Sequence, residues 1–254
     1  MSGHSHLLYR HGDTVVHRLP AHAKVVALLA FVLIVVATPR EEFAAFAGFG
    51  VLLAAVAAAA RVPPKFIVTR ALVEVPFLVF AALLPFVVAG ERVEVLGLSL
   101  SSEGLFAAWN IAVKGTLGVV ASILLAATTD ARDLLLGLQR LRLPARLVEI
   151  AAFMVRYADV VAADMRRMRI ARESRAFDAR HLGHLRVAAQ SAGALFIRTY
   201  ERGERVHLAM LSRGYTGAMP LAGSATARPA DWALAAVLPV AAALIVLLTA
   251  VVLS

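Results

Sequence analysis

The sequence predicts an all-α integral membrane protein with about five transmembrane helices and a cytoplasmic helical domain that contains two long amphipathic helices. Three observations predict this fold class. Hydrophobic residues make up 60% of the 254 residues, against about 45–50% in an average soluble domain. Charged residues make up only 17%, where about 25% is usual, so polar side chains are too few to cover a soluble chain of this size. The apolar residues also fall in five long runs separated by charged segments.

Each of the five runs is at or near the roughly 17–25 residues that a membrane-spanning helix needs. The first run is the shortest, and we expect Lys24 to extend it by reaching toward the membrane surface. Three regions follow: an N-terminal tail with spans 1–4 in residues 1–128, the cytoplasmic domain in 129–228, and the final span in 229–254. The runs are Val25–Thr38, Phe43–Ala60, Ala71–Ala89, Leu105–Thr128 and Trp232–Leu253.

The basic residues predict which side of the membrane each loop occupies. With the N-terminus in the cytoplasm, 23 of the 26 lysines and arginines are cytoplasmic, and only Arg40 and Arg92 lie in outside loops. This asymmetry is the positive-inside pattern. Residues 130–215 alone carry 16 basic and 9 acidic residues, which is +7 of the net +9. Topology therefore explains most of the positive charge.

The cytoplasmic domain is predicted to be helical. Residues 129–213 contain one proline, Pro144, and apolar residues recur at helical spacing, which predicts helices at about 130–142, 145–175 and 183–213. The two long helices would each reach about 45 Å, yet they carry too many arginines to lie in a bilayer. On the second, a polar arc holds Glu149, Arg156, Asp159, Arg166 and Arg167, and the opposite apolar face holds Leu147, Ile150, Met154, Val161, Met165 and Met168.

Both long helices end in a similar pattern. The second ends in Ser174-Arg175-Ala176 and the third in Ser212-Arg213-Gly214, and an aromatic residue follows each. An arginine in the last turn meets the negative end of the helix dipole, and a glycine just beyond it supplies the left-handed cap that ends the helix. A guanidinium at a rigid helix end is suited to bind a carboxylate or a row of carbonyl oxygens. The alternative is that both are ordinary helix C-termini.

These paired endings resemble the paired Ala-Arg-Gly signatures of the transmembrane T component of energy-coupling factor (ECF) transporters, and in particular the CbiQ family of the cobalt branch. The resemblance covers roughly residues 15–220. It departs at the first signature, where Ser174 and Ala176 replace the usual alanine and glycine, so a sharp glycine cap is not expected there. Four further segments agree in order and spacing: His17–Lys24, Leu125–Thr129, Leu141–Pro144, and Arg202–Val206 leading to Ala209-Met210.

The resemblance implies a non-enzymatic coupling scaffold in an ATP-driven uptake transporter of the inner cell membrane. In that family the T component binds two ATP-binding cassette ATPase subunits and a substrate-binding membrane subunit, which is CbiM-like in the cobalt branch. Arg175 and Arg213 would insert into grooves on the ATPases, and Ser174, Ala176, Ser212 and Gly214 would complete the two signatures. ATP and magnesium would belong to the partners, and no cofactor is expected in this chain. Independently, the sequence contains no P-loop motif, because Lys114-Gly115-Thr116 has the wrong order.

The sequence allows several alternatives for the cargo and the function. Cobalt is the first expectation for the cargo, with nickel and a vitamin as alternatives. A membrane-bound enzyme would need converging acids, histidines or a nucleophile, and a self-sufficient carrier would favour internal repeats with interrupted helices; the sequence shows neither. The basic helices would also suit anionic lipid, but nine interleaved acids favour a protein partner. Nothing in the sequence indicates nucleic acid binding.

Two ionisable residues, Glu74 and Lys114, lie inside predicted spans. Such residues are candidates for an ion relay or a substrate ligand. No second acid or histidine accompanies either one, so we expect them to pair with each other or to snorkel separately.

The histidines do not predict a catalytic or metal site. His181 and His184 are three residues apart but lack a partnering acid. Once Met1 is removed, Ser2-Gly3-His4 would offer four nitrogens for square-planar nickel or copper, although a solvated polar tail is the simpler interpretation. The other N-terminal histidines are His6, His11, His17 and His22.

Overall fold

The computed structural model describes residues 9–89, 91–95, 98–175, 185–217 and 227–253. The chain divides into two compact units. The first, here called the membrane unit, takes in residues 8–137 and 224–254. The second, here called the helical unit, takes in residues 138–223. Helix α7 (Ala131–Arg140) begins in the membrane unit and continues into the helical unit.

The membrane unit contains the five apolar helical segments that the hydropathy predicts. Three are long and apolar enough to cross a bilayer, namely Pro64–Val87, Ser102–Thr128 and Pro229–Val251. The other two, Ala21–Ala37 and Phe43–Ala59, are shorter apolar helices. The all-α membrane fold is therefore confirmed. In chain order the helices are α1 (Val15–Arg18), α2 (Ala21–Ala37), α3 (Phe43–Ala59), α4 (Pro64–Ala71), α5 (Val75–Val87), α6 (Ser102–Thr128) and, at the end of the chain, α10 (Pro229–Leu253).

The third apolar segment begins earlier than its hydropathy indicates and is not one continuous α-helix. α4 starts at Pro64, seven residues before the predicted start at Ala71, and a 3-10 turn at Leu72–Glu74 separates it from α5. Pro76 lies in the first turn of α5. A proline has no amide hydrogen to donate to the preceding turn, which explains why the regular α-helical bonding is interrupted here.

α6 is the central helix of the membrane unit. It packs against α2, α3, α4 and α5, and α10 packs against α2 and α3. Phe31, Phe46 and Phe49 meet edge to face in the core, with ring centroids 5.9 and 6.1 Å apart. Outward-facing side chains such as Leu33, Val51 and Val251 are largely exposed in the isolated chain, and in a bilayer lipid covers such a surface.

A short β-hairpin joins α5 to α6, and it differs from the loop that the hydropathy predicts between these spans. β1 (Arg92–Val95) pairs antiparallel with β2 (Leu98–Ser101), and Arg92 lies opposite Ser101. The sequence does contain a strand pattern here, because apolar and polar residues alternate in Val93-Glu94-Val95 and alternation with a period of two is typical of a strand. Ser101 then begins α6, since its hydroxyl accepts a hydrogen bond from the Gly104 amide at 3.2 Å.

The helical unit contains the two predicted long helices, α8 (Ala145–Glu173) and α9 (Leu185–Leu211). Their bounds lie within two residues of the predicted ones. α7 ends in a left-handed residue, Arg142, with φ of 64°. The Arg142 amide donates to Gln139 O and the Leu143 amide donates to Leu138 O, which is the Schellman arrangement that terminates a helix.

Candidate partner-binding site

The C-terminus of α9 carries the second predicted signature in a rigid cap. Gly214 has φ of 82°, its amide donates to Leu211 O, and the Tyr215 amide donates to Met210 O, both at 3.0 Å. These two bonds define a Schellman cap with glycine in the left-handed position, as predicted. The Ser212 hydroxyl donates to Ala209 O at 3.0 Å. The Arg213 side chain is exposed, and the backbone amides of residues 212–215 all donate hydrogen bonds to carbonyls of α9. The cap therefore holds the backbone that carries this arginine in a fixed conformation.

Tyr215 attaches this cap to α8. Its hydroxyl donates to Glu149 Oε2 at 3.0 Å. This hydrogen bond raises the pKa of Tyr215 above its ordinary value, because the bond requires the protonated phenol. The aromatic residue that follows the arginine thus holds the Arg213 end of α9 against the start of α8.

The C-terminus of α8 carries the first signature. The Ser174 amide donates to Ile170 O, the Arg175 amide donates to Arg172 O, and the Ser174 hydroxyl donates to Ala171 O at 3.1 Å. Ser174 and Arg175 are both exposed. Ala176 lies outside the described residues, as does Phe177.

α8 and α9 run antiparallel, so the two arginines lie at opposite ends of the pair. Three cross-helix hydrogen bonds show this register: Arg172 to Ser191 at 2.8 Å, Arg202 to Asp164 at 3.0 Å, and Tyr215 to Glu149. In these three contacts, earlier residues of α8 bind later residues of α9 or of its cap, as expected for an antiparallel pair. At 1.5 Å per residue, this register separates Arg175 from Arg213 by about 35 Å along the pair.

Asp164 is the central ionic contact between the two helices. Its carboxylate accepts hydrogen bonds from Arg167, one turn further along α8, and from Arg202 on α9. The Asp164 side chain is 8% exposed and that of Arg202 is 31% exposed. The hydrogen bond from Arg167, which has the larger effect, and the hydrogen bond from Arg202 hold the pKa of Asp164 below its ordinary value. The sequence alone did not indicate this role for Asp164, because the role depends on the register with α9.

Between the Asp164–Arg202 pair and the Glu149–Tyr215 pair, the two helices enclose an open cavity of about 410 Å³. Its lining is mainly apolar and aromatic. Lining residues are Phe153, Met154, Tyr157, Val161, Thr199, Arg202, Gly203, Val206, His207, Met210 and Tyr215.

The predicted apolar face of α8 is largely uncovered in this chain. Met154 is 68% exposed, and Leu147, Ile150 and Met165 are each more than half exposed. Four large apolar side chains on one face of a helix form a patch of the kind that marks a protein or membrane contact.

Glu74 and Lys114 each have partners, but they do not pair with each other. Lys114 Nζ donates to Val36 O and Thr38 O, both at 2.9 Å, and lies 5.9 Å from the centroid of the Phe46 ring. Glu74 is buried and accepts a hydrogen bond from the Thr116 hydroxyl at 3.2 Å. The expectation that they pair is therefore wrong, and the buried Glu74 does not snorkel. Lys114 reaches the last carbonyls of α2 in a partly exposed contact, which agrees with the alternative that it snorkels.

Lys24, in contrast to Lys114, does not snorkel. It is 8% exposed, and its ammonium donates to backbone and side-chain oxygens at the end of α6. The carbonyls at a helix C-terminus need donors, and those of α6 are within reach.

Within the described residues, no group of three or more His, Asp or Glu side chains is arranged to hold a metal ion. His22 packs edge to face on Trp232 at 5.6 Å, and His17 hydrogen-bonds Thr14 and Arg10. The candidate nickel or copper site at Ser2-Gly3-His4 lies outside the described residues, as do His6, His181 and His184.

Comparison with known proteins agrees with this architecture. The family model for CbiQ, described as a cobalt transport protein, matches residues 12–222. The chain belongs to the CbiQ family. It is 30% identical over 243 residues to the energy-coupling factor transporter transmembrane protein EcfT of Thermanaerovibrio acidaminovorans, a match that covers 89% of this chain and 87% of that protein. Membership of this family makes the chain an ECF-type transmembrane transport component, as its sequence motifs predicted.

Two further relatives match over shorter lengths. The cobalt transport protein CbiQ of Rhodobacter capsulatus is 31% identical over 160 residues, which covers 63% of this chain and 64% of the relative. An uncharacterized protein of Methanocaldococcus jannaschii is 32% identical over 104 residues, which covers 41% of this chain and 39% of the relative. The chain thus spans less than two thirds of the length of these two relatives.

Proposed function

We propose that this protein is the T subunit of an ECF-type cobalt uptake transporter and that it transmits ATPase motion to a separate substrate-binding membrane subunit. Two ATP-binding cassette subunits bind ATP and magnesium and hydrolyse the ATP. The N-terminus and the helical unit face the cytoplasm, and the protein lies in the inner cell membrane. The positive-inside distribution of lysine and arginine supports this orientation.

The observation that carries the proposal is the placement of Arg175 and Arg213 at opposite ends of one antiparallel helix pair. Both side chains are exposed, and each follows a helix end whose backbone amides are bonded within the chain. One subunit therefore presents two similar arginine tips about 35 Å apart. Two tips suit two copies of one kind of partner.

Arginine is well suited to this role. Its guanidinium stays charged at any physiological pH and binds a carboxylate or carbonyl oxygens in a fixed geometry. When two ATPases close on each other, each one moves the tip that it holds. The Asp164–Arg202 and Glu149–Tyr215 pairs join the helices along their length, so the tips move with the helices behind them.

The exposed apolar face of α8 supplies the second contact. Leu147, Ile150, Met154 and Met165 are uncovered, and burial of apolar side chains is the main favourable term in most protein association. We assign this face to the substrate-binding membrane subunit. The cargo is assigned to cobalt from the family description, with nickel and then a vitamin as alternatives.

The decisive experiment replaces both tips with alanine, Arg175→Ala and Arg213→Ala, in the assembled transporter in membrane vesicles. We expect the double variant to insert normally, but to lose ATPase copurification or to hydrolyse ATP without Co²⁺ uptake. Arg205→Ala is the matched control, because Arg205 is an exposed arginine on α9 whose ion pair with Glu201 is long, at 3.8 Å. Normal uptake by the double variant would refute the proposal, and uptake of nickel or a vitamin in place of Co²⁺ would correct the cargo alone.

A further inference from the structure

The C-terminal end of α6 is held by the segment that precedes and begins α2. The last carbonyl groups of an α-helix have no partner within the helix. Here Ala127 O accepts from the Arg10 amide at 2.9 Å, and Thr128 O accepts from Lys24 Nζ at 2.8 Å. Thr129, the next residue, is extended, with φ of −138° and ψ of 124°, so the helix stops and the chain turns into α7.

Lys24 uses all three of its ammonium hydrogens in this contact. Besides Thr128 O, it donates to Thr129 Oγ1 at 3.1 Å and to His17 O at 3.2 Å. An ammonium has three donors and no acceptor, so a bound ion or lipid phosphate would have to displace one of these bonds. The buried charge therefore serves the chain itself and is not a ligand site.

His17 holds the same segment in one conformation. Its Nε2 lies 3.1 Å from Arg10 O, and its Nδ1 lies 2.7 Å from Thr14 Oγ1. A neutral ring that donates from Nε2 and accepts at Nδ1 satisfies both contacts. Burial, opposed in part by the hydrogen bond to Arg10, lowers the pKa of His17, which favours that neutral ring.

A second, independent contact holds α7 against α2. A Cβ atom added at Gly137 would lie 2.8 Å from the His22 amide nitrogen and 3.0 Å from Ala21 Cβ. Only glycine allows this approach of α7 to the first turn of α2 without displacement. Gly137 is also the last residue of the membrane unit before the chain enters the helical unit.

We propose that Lys24 is a positioning residue that keeps the α6–α7 junction fixed on the N-terminus of α2 throughout the transport cycle. Movement of α8 and α9 then reaches the membrane helices instead of being absorbed at this junction. The inference rests on the proposed function, because it concerns how that motion is transmitted. Arg10 and His17 support this contact, because the Arg10 amide also binds the end of α6 and His17 binds both Arg10 O and, through its own carbonyl, Lys24.

The first test measures Co²⁺ uptake per ATP hydrolysed in the reconstituted transporter carrying Lys24→Met. We expect ATPase binding and hydrolysis to persist while uptake per ATP falls at least tenfold, and Lys24→Arg to recover most of it. Lys65→Met is the matched control, because Lys65 is an exposed lysine on α4. Uptake per ATP within twofold of the unchanged protein in the Lys24→Met complex would overturn the proposal.

The second test disturbs the junction from the α7 side. Gly137→Ala places a Cβ atom 2.8 Å from the His22 amide nitrogen, so α7 must move away from α2. Gly118→Ala on α6 is the matched control, because no atom lies within 4 Å of its added Cβ. We expect Gly137→Ala to lower uptake per ATP at least tenfold while hydrolysis persists, and Gly118→Ala to leave both unchanged. Uptake per ATP within twofold of the unchanged protein in Gly137→Ala would show that the junction need not stay fixed, and the proposal would be wrong.

Amide hydrogen exchange gives a readout that does not depend on transport. In the purified complex, exchange of the Arg10 amide, which donates to Ala127 O at the end of α6, should accelerate at least tenfold in Lys24→Met and stay unchanged in Lys65→Met. Unchanged exchange in Lys24→Met would overturn the proposal even if that variant assembles poorly. Failure of the proposed function would look different, because uptake would then be insensitive to loss of Arg175 and Arg213.

Discussion

Lys24 on α2 and Lys114 on α6 each bind the C-terminal carbonyls of the other's helix. Lys24 donates to Thr128 O at the end of α6, and Lys114 donates to Val36 O and Thr38 O at the end of α2. A cation at a helix C-terminus is stabilised by the helix dipole. The two lysines therefore fix α2 and α6 as an antiparallel pair in one register.

We predict that Lys114→Met destabilises the membrane unit by about 2 kcal/mol, since hydrogen bonds to a charged group typically contribute about 1.5–3 kcal/mol. The carbonyls of Val36 and Thr38 then lose their ammonium donor at the end of α2. The measurement is the thermal unfolding of the purified protein in detergent. Ser122→Ala is the control: it removes a hydrogen bond between two neutral groups, from the Ser122 hydroxyl to Gly118 O, and should cost no more than about 1 kcal/mol. An equal loss of stability in both variants would show that the charge on Lys114 adds nothing to an ordinary hydrogen bond.

Asp164→Asn is predicted to lower the unfolding temperature of the helical unit by several degrees. Asparagine keeps the shape but removes the negative charge that Arg167 and Arg202 share. The partly buried Arg202 is then left without its counter-charge. Glu201→Gln is the control, because its ion pair with Arg205 is exposed and long, and such pairs contribute little. A similar effect of the two substitutions would contradict the central role of Asp164.

The stabilisation that the Asp164 carboxylate provides is predicted to be lost at acid pH. Arg167 and Arg202 lower the pKa of Asp164, so its stabilising contribution is complete above the unfolded-state value of about 3.9. The contribution is lost as the pH falls through the still lower folded-state value. The experiment measures the unfolding midpoints of wild type and Asp164→Asn from pH 7 down to pH 2. The difference between the two midpoints should stay constant down to about pH 4 and should decrease below that pH. A gap that changes between pH 7 and pH 5 would assign the titration to another group.

Gly214→Ala is predicted to destabilise the α9 cap by about 1 kcal/mol, the cost of the left-handed conformation for a residue with a Cβ. No atom lies within 4 Å of the added Cβ, so the penalty comes from the backbone alone. Gly193→Ala has equally open space but lies inside α9, where alanine should stabilise by about 1 kcal/mol. Thermal unfolding of both variants checks the prediction. The same sign for both would show that the φ of 82° is not needed for the cap.

The sequence predicted most elements of this fold because hydropathy and helical spacing are local properties. The bounds of α8 and α9 and the glycine cap at Gly214 follow from neighbouring residues alone. The contacts of Lys24, Lys114 and Asp164 did not follow, because each depends on the register between helices far apart in sequence. Lys24 and Thr128 are separated by 104 positions, and only packing brings them together.

The last prediction concerns Tyr215→Phe, which we expect to weaken ATPase binding at the Arg213 tip without unfolding the helix. Phenylalanine keeps the ring that lines the cavity beside Met210 but removes the hydrogen bond to Glu149. One hydrogen bond of this kind corresponds to roughly a threefold to tenfold change in affinity, because the tip must then be ordered on binding.

Tyr157→Phe is the matched control for this prediction. Tyr157 lines the same cavity, and the structure gives its hydroxyl no hydrogen bond within the described residues. Because Glu149 raises the pKa of Tyr215, the phenol keeps its proton across the neutral range. The affinity difference between wild type and Tyr215→Phe should therefore be the same at pH 7 and pH 9 in a binding titration with the purified ATPases. Equal affinities for the two tyrosine variants would mean that the cap alone, without its attachment to α8, positions Arg213.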